Sequence, residues 1–319
     1  MYNELFRPEA EAKLKQAGVV IRNPETEMPL EEMMSHIEDT AAIIGNQPLS
    51  REILLKARNL KVVAETSGSF RTNIDYETAF EKGIVILRCG AAFASSVAEM
   101  ALALALALAR NIVRYNEQMK EGTEEWKRLP DDFELRGKTV GLIGLGSVGQ
   151  MLVNLLKPFG VHICAYDPWL PEDYVRMLGV EPKDLNPVLS TSKVIFVLAG
   201  VTRENVHMIG ADELDLIKLG SVFVNVARAA LIDYDALMER LERSDIRVAL
   251  DVFEKEPLPK DHPLRKLNNV ILTPHRSGGL AESYFRIGDY IANDVCQVLK
   301  GLKPVFLDEA RRDMISKLL

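Results

Sequence analysis

Cysteine, histidine and net positive charge are all scarce in this chain of 319 residues, and each shortage removes a class of protein. The three cysteines, Cys89, Cys164 and Cys296, are odd in number and far apart, which excludes a disulfide framework. No C-x-x-C pair or other ligand spacing occurs, so no metal centre is expected. Reduced, apolar thiols and a cytoplasmic setting are. Lys and Arg number 39 against 46 Asp and Glu, a formal net charge of -7. That balance disfavours a nucleic acid or an anionic membrane as partner, because both attract basic patches. The opening stretch "MYNELFRPEAEAKLKQAG" has no apolar core segment, so no signal peptide is expected. The strongest apolar run, "MALALALALA" at 100–109, is shorter than the about 20 residues a bilayer requires. Ala and Leu favour helix, and β-branched residues are absent from the run. It should therefore begin one long helix, buried all round at its start and amphipathic through "RNIVRYNEQMKEG". Low-complexity segments and solenoid periods are absent too.

What is present is a repeated strand-then-helix rhythm, in a chain long enough for about two domains. In the first stretch "VVIRN", "AAIIGN", "KVVAET" and "IVILRC" are short β-branched runs, with "LEEMMSHIED" and "DYETAFEKG" as helices among them. In the second, "TVGLIGLG", "VHICAYD", "KVIFVLAG", "SVFVNVA", "RVALDV" and "NVILTPH" continue the pattern. Unbroken apolar runs imply strands covered on both faces, and alternation with helices implies parallel sheets. The expectation is an α/β chain with two doubly wound parallel sheets. The last segment, "RIGDYIANDVCQVLKGL", should be an amphipathic helix packed back on the first domain. That gives one domain from 1–108 with 283–319 and another from 109–282.

"GLIGLGSVG" carries a G-x-G-x-x-G triplet as Gly144, Gly146 and Gly149. The first glycine permits a tight turn, the second lets backbone approach a pyrophosphate, and the third packs helix against strand. A helix N-terminus there offers N–H groups and a positive dipole end to phosphates. Alone the triplet is a weak signal. Here it follows an apolar strand, begins an amphipathic helix, and is followed by Asp167 at the end of the next strand, 18 residues after Gly149. A carboxylate at that place accepts hydrogen bonds from a ribose 2′-hydroxyl and repels a 2′-phosphate. Pro168 and Trp169 add no cation, so NAD is expected rather than NADP.

Three later runs end in residues suited to hydride chemistry on a carbonyl. "FVNVARAALID" presents Arg228, a planar fork that matches a carboxylate. "VALDVFEKEP" presents Asp251 and, five residues on, Glu256. "ILTPHRSGG" presents His275, one of only five histidines. Taken singly, Arg228 fits a surface ion pair, Glu256 a solvated loop charge and His275 a structural histidine. Together, beyond the carboxyl ends of successive strands, they supply a carboxylate clamp, a proton donor and a group that tunes the donor.

These motifs, "GLIGLGSVG", "YDP", "VNVAR…LID", "ALDVFEKEP" and "TPH", resemble the D-2-hydroxyacid dehydrogenase family, closely over about 110–280. "SVAEMALALALALAR" extends the likeness. The resemblance implies a Rossmann NAD domain inserted in a flavodoxin-like substrate domain, acting on a small 2-keto or 2-hydroxy acid. It implies that Arg228 binds the substrate carboxylate and carbonyl, that His275 donates the proton, and that Glu256 pairs with His275. Asp251 would hold the nicotinamide carboxamide, with Val97 against the nicotinamide ring. Ser147, Val148, Asp167, Ala227 and Arg228 would line NAD, together with the glycine triplet, Pro168, Ala199, Gly200, Val226, His275 and Gly278. Backbone N–H groups at Gly68 and Ser69 would grip the carboxylate. The Ala/Leu helix and "EEWKRLPDDFELRGK" resemble the family's dimer region, implying a homodimer.

The departures concern the substrate. "VLAGVT" brings Leu198 and Gly200 where members often have a histidine and a proline, and Ala229 stands where a glycine usually follows the arginine. "TSGSFRTNID" replaces a plain glycine-valine-glycine turn, and "RCGAAFASS" lacks the usual asparagine-proline character. Phe70 and Phe93 line an apolar side-chain pocket or belong to the core. Against the enzyme stands a protein of the same fold that senses NAD(H) without turnover. Sensing needs no general acid, so the trio Arg228, Glu256 and His275 argues for chemistry.

Overall fold

The β-branched runs form strands and the intervening segments helices, in a computed structural model that describes residues 5–19, 28–124, 126 and 132–318. Two units result, 1–93 with 279–319 and 94–278. In chain order the first holds α1 (Pro8–Gln16), α2 (Leu30–His36), β1 (Ala42–Ile44), α3 (Arg51–Lys56), β2 (Val62–Glu65), α4 (Tyr76–Glu81) and β3 (Val85–Arg88). After α5 (Gly90–Ala109) come α6 (Ile112–Glu121), β4 (Thr139–Ile143), α7 (Ser147–Leu156), β5 (His162–Tyr166), α8 (Glu172–Met177), β6 (Glu181–Pro182) and α9 (Leu185–Thr191). The second unit continues with β7 (Val194–Val197), α10 (Ala211–Asp215), β8 (Val222–Asn225), α11 (Tyr234–Glu242), β9 (Arg247–Leu250) and β10 (Val270–Leu272). The chain then returns to the first unit as α12 (Ala281–Leu299), β11 (Asp308–Glu309) and α13 (Arg312–Ile315).

The sheet of the second unit runs β10-β9-β8-β7-β4-β5-β6, and every pairing in it is parallel. Alternate side chains along its central strands supply two cores. Leu142, Phe196 and Val224 point to one, Ile195, Phe223 and Val248 to the other. This is why the runs read as unbroken apolar stretches. Strand order reverses between β4 and β7, so the connections after these two strands diverge and leave a crevice at their carboxyl ends.

The sheet of the first unit runs β1-β2-β3-β11. Its first three strands are parallel, and β11 is antiparallel to β3, an edge strand of two residues too short to show in the sequence pattern. Asp308 on β11 accepts from the Nε of Arg88 at 3.1 Å. Along α12, Ile287, Ile291 and Val295 share a core with Leu14 of α1, Val62 of β2 and Leu87 of β3. Arg7–Asp289 and Lys13–Asn293 contacts add polar ties between α12 and the region of α1.

Three expectations change. The long helix is two helices: Asn111 takes φ 49°, a left-handed conformation that asparagine tolerates, and its side chain donates to Asp132 at 2.5 Å. Starting at Gly90, α5 is 20 residues long with mean hydropathy 1.9 over its most apolar window, so length and composition alone would let it cross a membrane. It is a core helix instead: Ala98, Ala101, Ala105 and Ala109 are fully buried, packed with Leu104 and Leu108 beside Leu142 and Val140. Nor is its start buried all round, for Glu99 and Ala103 are exposed. The "VVIRN" run falls almost wholly outside the described residues, as does part of "EEWKRLPDDFELRGK".

Glu65 ends β2 at 1% exposure, and neither carboxylate oxygen is in a well-formed hydrogen bond. Loss of solvent raises its pKa from 4.5 to about 7, against the smaller pull of the Arg71 backbone N–H and of the Arg71 and Arg88 charges. The folded state thus holds a proton that the unfolded chain has already released, so stability falls as pH rises from about 4.5 to about 7 and is level above. Glu65→Gln should remove this loss. Urea unfolding should show the variant more stable than the parent at pH 8, by on the order of 3 kcal/mol, with the difference fading towards pH 5. A difference independent of pH would show that Glu65 titrates as an ordinary carboxylate.

Candidate active site

The turn after β4 is built on contacts that admit only glycine at two places. Gly144 has φ +98°, and a Cβ there would stand 2.6 Å from the backbone nitrogen of Ala199, at the end of β7. A Cβ on Gly149 would meet the carbonyl oxygen of Gly144 at 2.7 Å, so this glycine brings α7 down on its own entry turn. Gly146 is different: nothing lies within 4 Å of its Cβ position. It is the N-cap of α7, and no side chain caps that end. Exposed Ser147 and half-buried Val148 follow. The helix N–H groups and the dipole end therefore face open space in the crevice, which fits the pyrophosphate of a dinucleotide.

Asp167, one residue beyond β5, is oriented by backbone. Its Oδ2 accepts from the N–H of Leu145 inside the glycine turn at 2.7 Å, and its Oδ1 from the N–H of Trp169 at 3.0 Å. One carboxylate thus couples the phosphate turn to the end of the second strand, beside exposed Pro168. Gly200, next to Ala199 after β7, also has open space at its Cβ position.

Beyond β8, Val226 is buried, Ala227 is half-buried and Arg228 is exposed in extended conformation. The turn is shaped by Asn225, fully buried at the strand end. Its Oδ1 accepts from the N–H of Ala227 at 3.0 Å, and its Nδ2 donates to the carbonyl of Arg228 at 3.1 Å. The Arg228 guanidinium donates to the carbonyl of Ala227 at 2.6 Å. Asn225 was not foreseen, although one polar residue inside the apolar run "VFVNVA" was a signal.

Glu256 and His275 meet. His275 Nδ1 lies 2.7 Å from Glu256 Oε2, and Glu256 Oε1 accepts from the N–H of Phe253 at 2.9 Å. His275 has φ 51°, uncommon for a residue with a side chain, and its ring is 45% exposed, open to a ligand. Asp251 holds that conformation. It is fully buried, with Oδ1 accepting from the Thr273 hydroxyl at 2.5 Å and from the N–H of Arg276 at 2.9 Å. Its Oδ2 accepts from the N–H of Ser277 at 3.0 Å. Thr273 was likewise unforeseen.

Val97 lies on α5, half-buried against the core of the second unit, and Gly278 is that unit's last residue. Gly68 and Ser69 belong to the first unit, in the loop after β2, where the Ser67 hydroxyl donates to the Ser69 carbonyl at 2.6 Å. A Cβ on Gly68 would touch the Phe93 ring at 3.4 Å. Phe70 is core, and Phe93 packs partly buried on the core of the first unit.

Comparison with known proteins bears on the family. The family model described as D-isomer specific 2-hydroxyacid dehydrogenase, NAD binding domain, matches residues 102–277. The D-3-phosphoglycerate dehydrogenase of Methanocaldococcus jannaschii is 39% identical over 280 residues, which cover 86% of this chain and 53% of that protein. The hydroxypyruvate reductase of Thermotoga maritima is 39% identical over 254 residues, 78% of this chain and 81% of that protein. A crystal structure of a phosphoglycerate oxidoreductase from Rhizobium etli superposes with a TM-score of 0.83 at 34% identity, covering 98% of this chain and 96% of that one. The chain spans about half the length of the curated phosphoglycerate dehydrogenases it matches. By sequence and by fold, this chain belongs to the D-isomer-specific 2-hydroxyacid dehydrogenase family, with NAD as its cofactor.

Proposed function

We propose that this protein transfers a hydride between NAD(H) and C2 of a small 2-keto or 2-hydroxy acid. The observation that carries the proposal is the 2.7 Å contact of His275 with Glu256 in a loop organised from a buried carboxylate. Bound NAD(H) supplies or accepts the hydride. The chain's own residues hold the substrate and move the proton. Arg228, on a turn shaped by Asn225, offers parallel N–H donors to the substrate carboxylate and polarises the carbonyl. Glu256 engages Nδ1 of His275, which leaves Nε2 as the nitrogen that exchanges a proton. In reduction Nε2–H gives its proton to the carbonyl oxygen as C2 gains the hydride. In oxidation Nε2 takes the hydroxyl proton.

Homologues named phosphoglycerate dehydrogenase and hydroxypyruvate reductase support the substrate class, each name applying to its own protein. The test is NADH oxidation with a panel of glyoxylate, hydroxypyruvate and phenylpyruvate. Turnover with at least one, lost in His275→Gln, supports the proposal. NADH binding without turnover on any 2-keto acid would favour the sensing protein.

Asp167 carries the cofactor preference. Wild type should use NADH over NADPH, and Asp167→Ser should narrow the ratio of their kcat/KM values by removing the repulsion of a 2′-phosphate. Equal use of both by the unmodified protein would remove Asp167 from that role. Exposed Ile112, Val113 and Met119 on α6 support a homodimer, checked by light scattering in solution, and a cytoplasmic setting suits the three unbridged thiols.

A further inference from the structure

Tyrosine is an indifferent helix former, yet Tyr234 is the first residue of α11 and is buried. Asp233 fixes it there, capping that helix with a side chain that accepts from the N–H of Ala236 at 3.1 Å. The Tyr234 ring packs in the core that holds Leu237 and Leu250, and its hydroxyl donates to the carbonyl of Val252 at 2.5 Å. Burial first, and then the Glu254 and Glu256 carboxylates, push the pKa of the phenol up, so the hydroxyl keeps its proton and remains a donor.

The Val252 carbonyl and the Phe253 N–H are the two ends of one planar peptide group, so fixing the first sets the direction of the second. That N–H donates to Oε1 of Glu256 at 2.9 Å, and Oε2 of the same carboxylate lies 2.7 Å from Nδ1 of His275. The buried hydroxyl therefore stands at one end of a chain of hydrogen bonds that finishes on the imidazole, and all its groups belong to the second unit. Bonds joined in this way polarise and support one another. Glu256 itself is exposed, so without a fixed donor its carboxylate is free to turn to water. We propose that Tyr234 is a positioning residue for the acid–base pair: through the peptide between Val252 and Phe253 it holds Glu256 against His275. This rests on the hydride-transfer proposal above, in which His275 exchanges the proton. Asp251 shapes the backbone that carries His275, and Tyr234 sets the partner of its ring.

The experiment is a double-mutant cycle on steady-state reduction, with wild type, Tyr234→Phe, Glu256→Ala and the double variant, using the 2-keto acid of the panel that turns over fastest. Tyr234→Phe should lower kcat about three- to tenfold, the effect of one hydrogen bond, while KM for the 2-keto acid and NADH affinity stay within about twofold. In the Glu256→Ala background the same change should do nothing further, since the carboxylate it positions is gone. Unchanged kcat in Tyr234→Phe beside a slow Glu256→Ala would overturn the positioning role and leave the proton chemistry standing. A loss of equal size in both backgrounds would also overturn it, making the hydroxyl a support of the loop at large. Full kcat in both Glu256→Ala and His275→Gln would overturn the hydride-transfer proposal itself, and this one with it. Should Tyr234→Phe not fold, 4-fluorophenylalanine at position 234 fills the place of the hydroxyl without a donor and gives the same comparison.

Discussion

Replacing His275 by glutamine should lower kcat by at least the ~10²–10⁴-fold typical of one positioned acid or base, in both directions of reaction. Glutamine retains hydrogen-bonding capacity but cannot exchange a proton near neutral pH. NADH affinity, followed by the cofactor's fluorescence, should stay within a few fold, because the phosphate turn and Asp167 lie on other strands. The left-handed backbone at position 275 calls for a control that separates backbone strain from loss of the imidazole. His275→Asn provides it, asparagine being among the residues that best tolerate this conformation. Both variants should be equally inactive with unchanged thermal midpoints relative to each other. Substantial turnover in either would remove the imidazole from the mechanism.

Arg228→Lys should be nearly as damaging to kcat/KM for 2-keto acids, by on the order of several kcal/mol in transition-state terms, with little change in NADH affinity. Charge is preserved, so the loss measures the planar fork. The turn itself should persist, because Asn225 holds backbone atoms of Ala227 and Arg228 whatever side chain follows. Near-normal kcat/KM in the lysine variant would mean that the substrate carboxylate is held elsewhere.

Much of this was legible in the sequence because the relevant physics is local. A parallel strand buried on both faces must be apolar throughout, so β4, β7, β8 and β9 announced themselves. The glycine triplet was legible for a similar reason, as Gly144 and Gly149 sit where a side chain would collide with backbone. Strand ends were therefore predictable, and with them the segments after β8, β9 and β10 that carry Arg228, Glu256 and His275. What escaped depends on distant pairing. β11 exists only because Arg88 and Leu87 are there to pair with it. The break at Asn111 turns on an acid 21 residues further along the chain. Asn225 and Thr273 were visible as polar residues in apolar runs, but their partners become apparent only when neighbouring strands lie side by side. Buried Glu65 could not be distinguished from any carboxylate at a strand end without knowing what covers it.

The split composition of the first unit bears on how the molecule comes off the ribosome. The second unit is one continuous stretch, 94–278, and all its strands have been made by the time its last residue is added. The first unit is begun before it and finished after it, because α12, which shares a core with α1 and β2, is encoded at the far end. Domains fold as units during synthesis. The nucleotide-binding half can therefore close while the apolar surfaces of α1 and the first sheet still wait for α12. For that interval the nascent chain exposes Leu14, Val62 and Leu87, and a stall or truncation before Ala281 would leave them to chaperones or to aggregation.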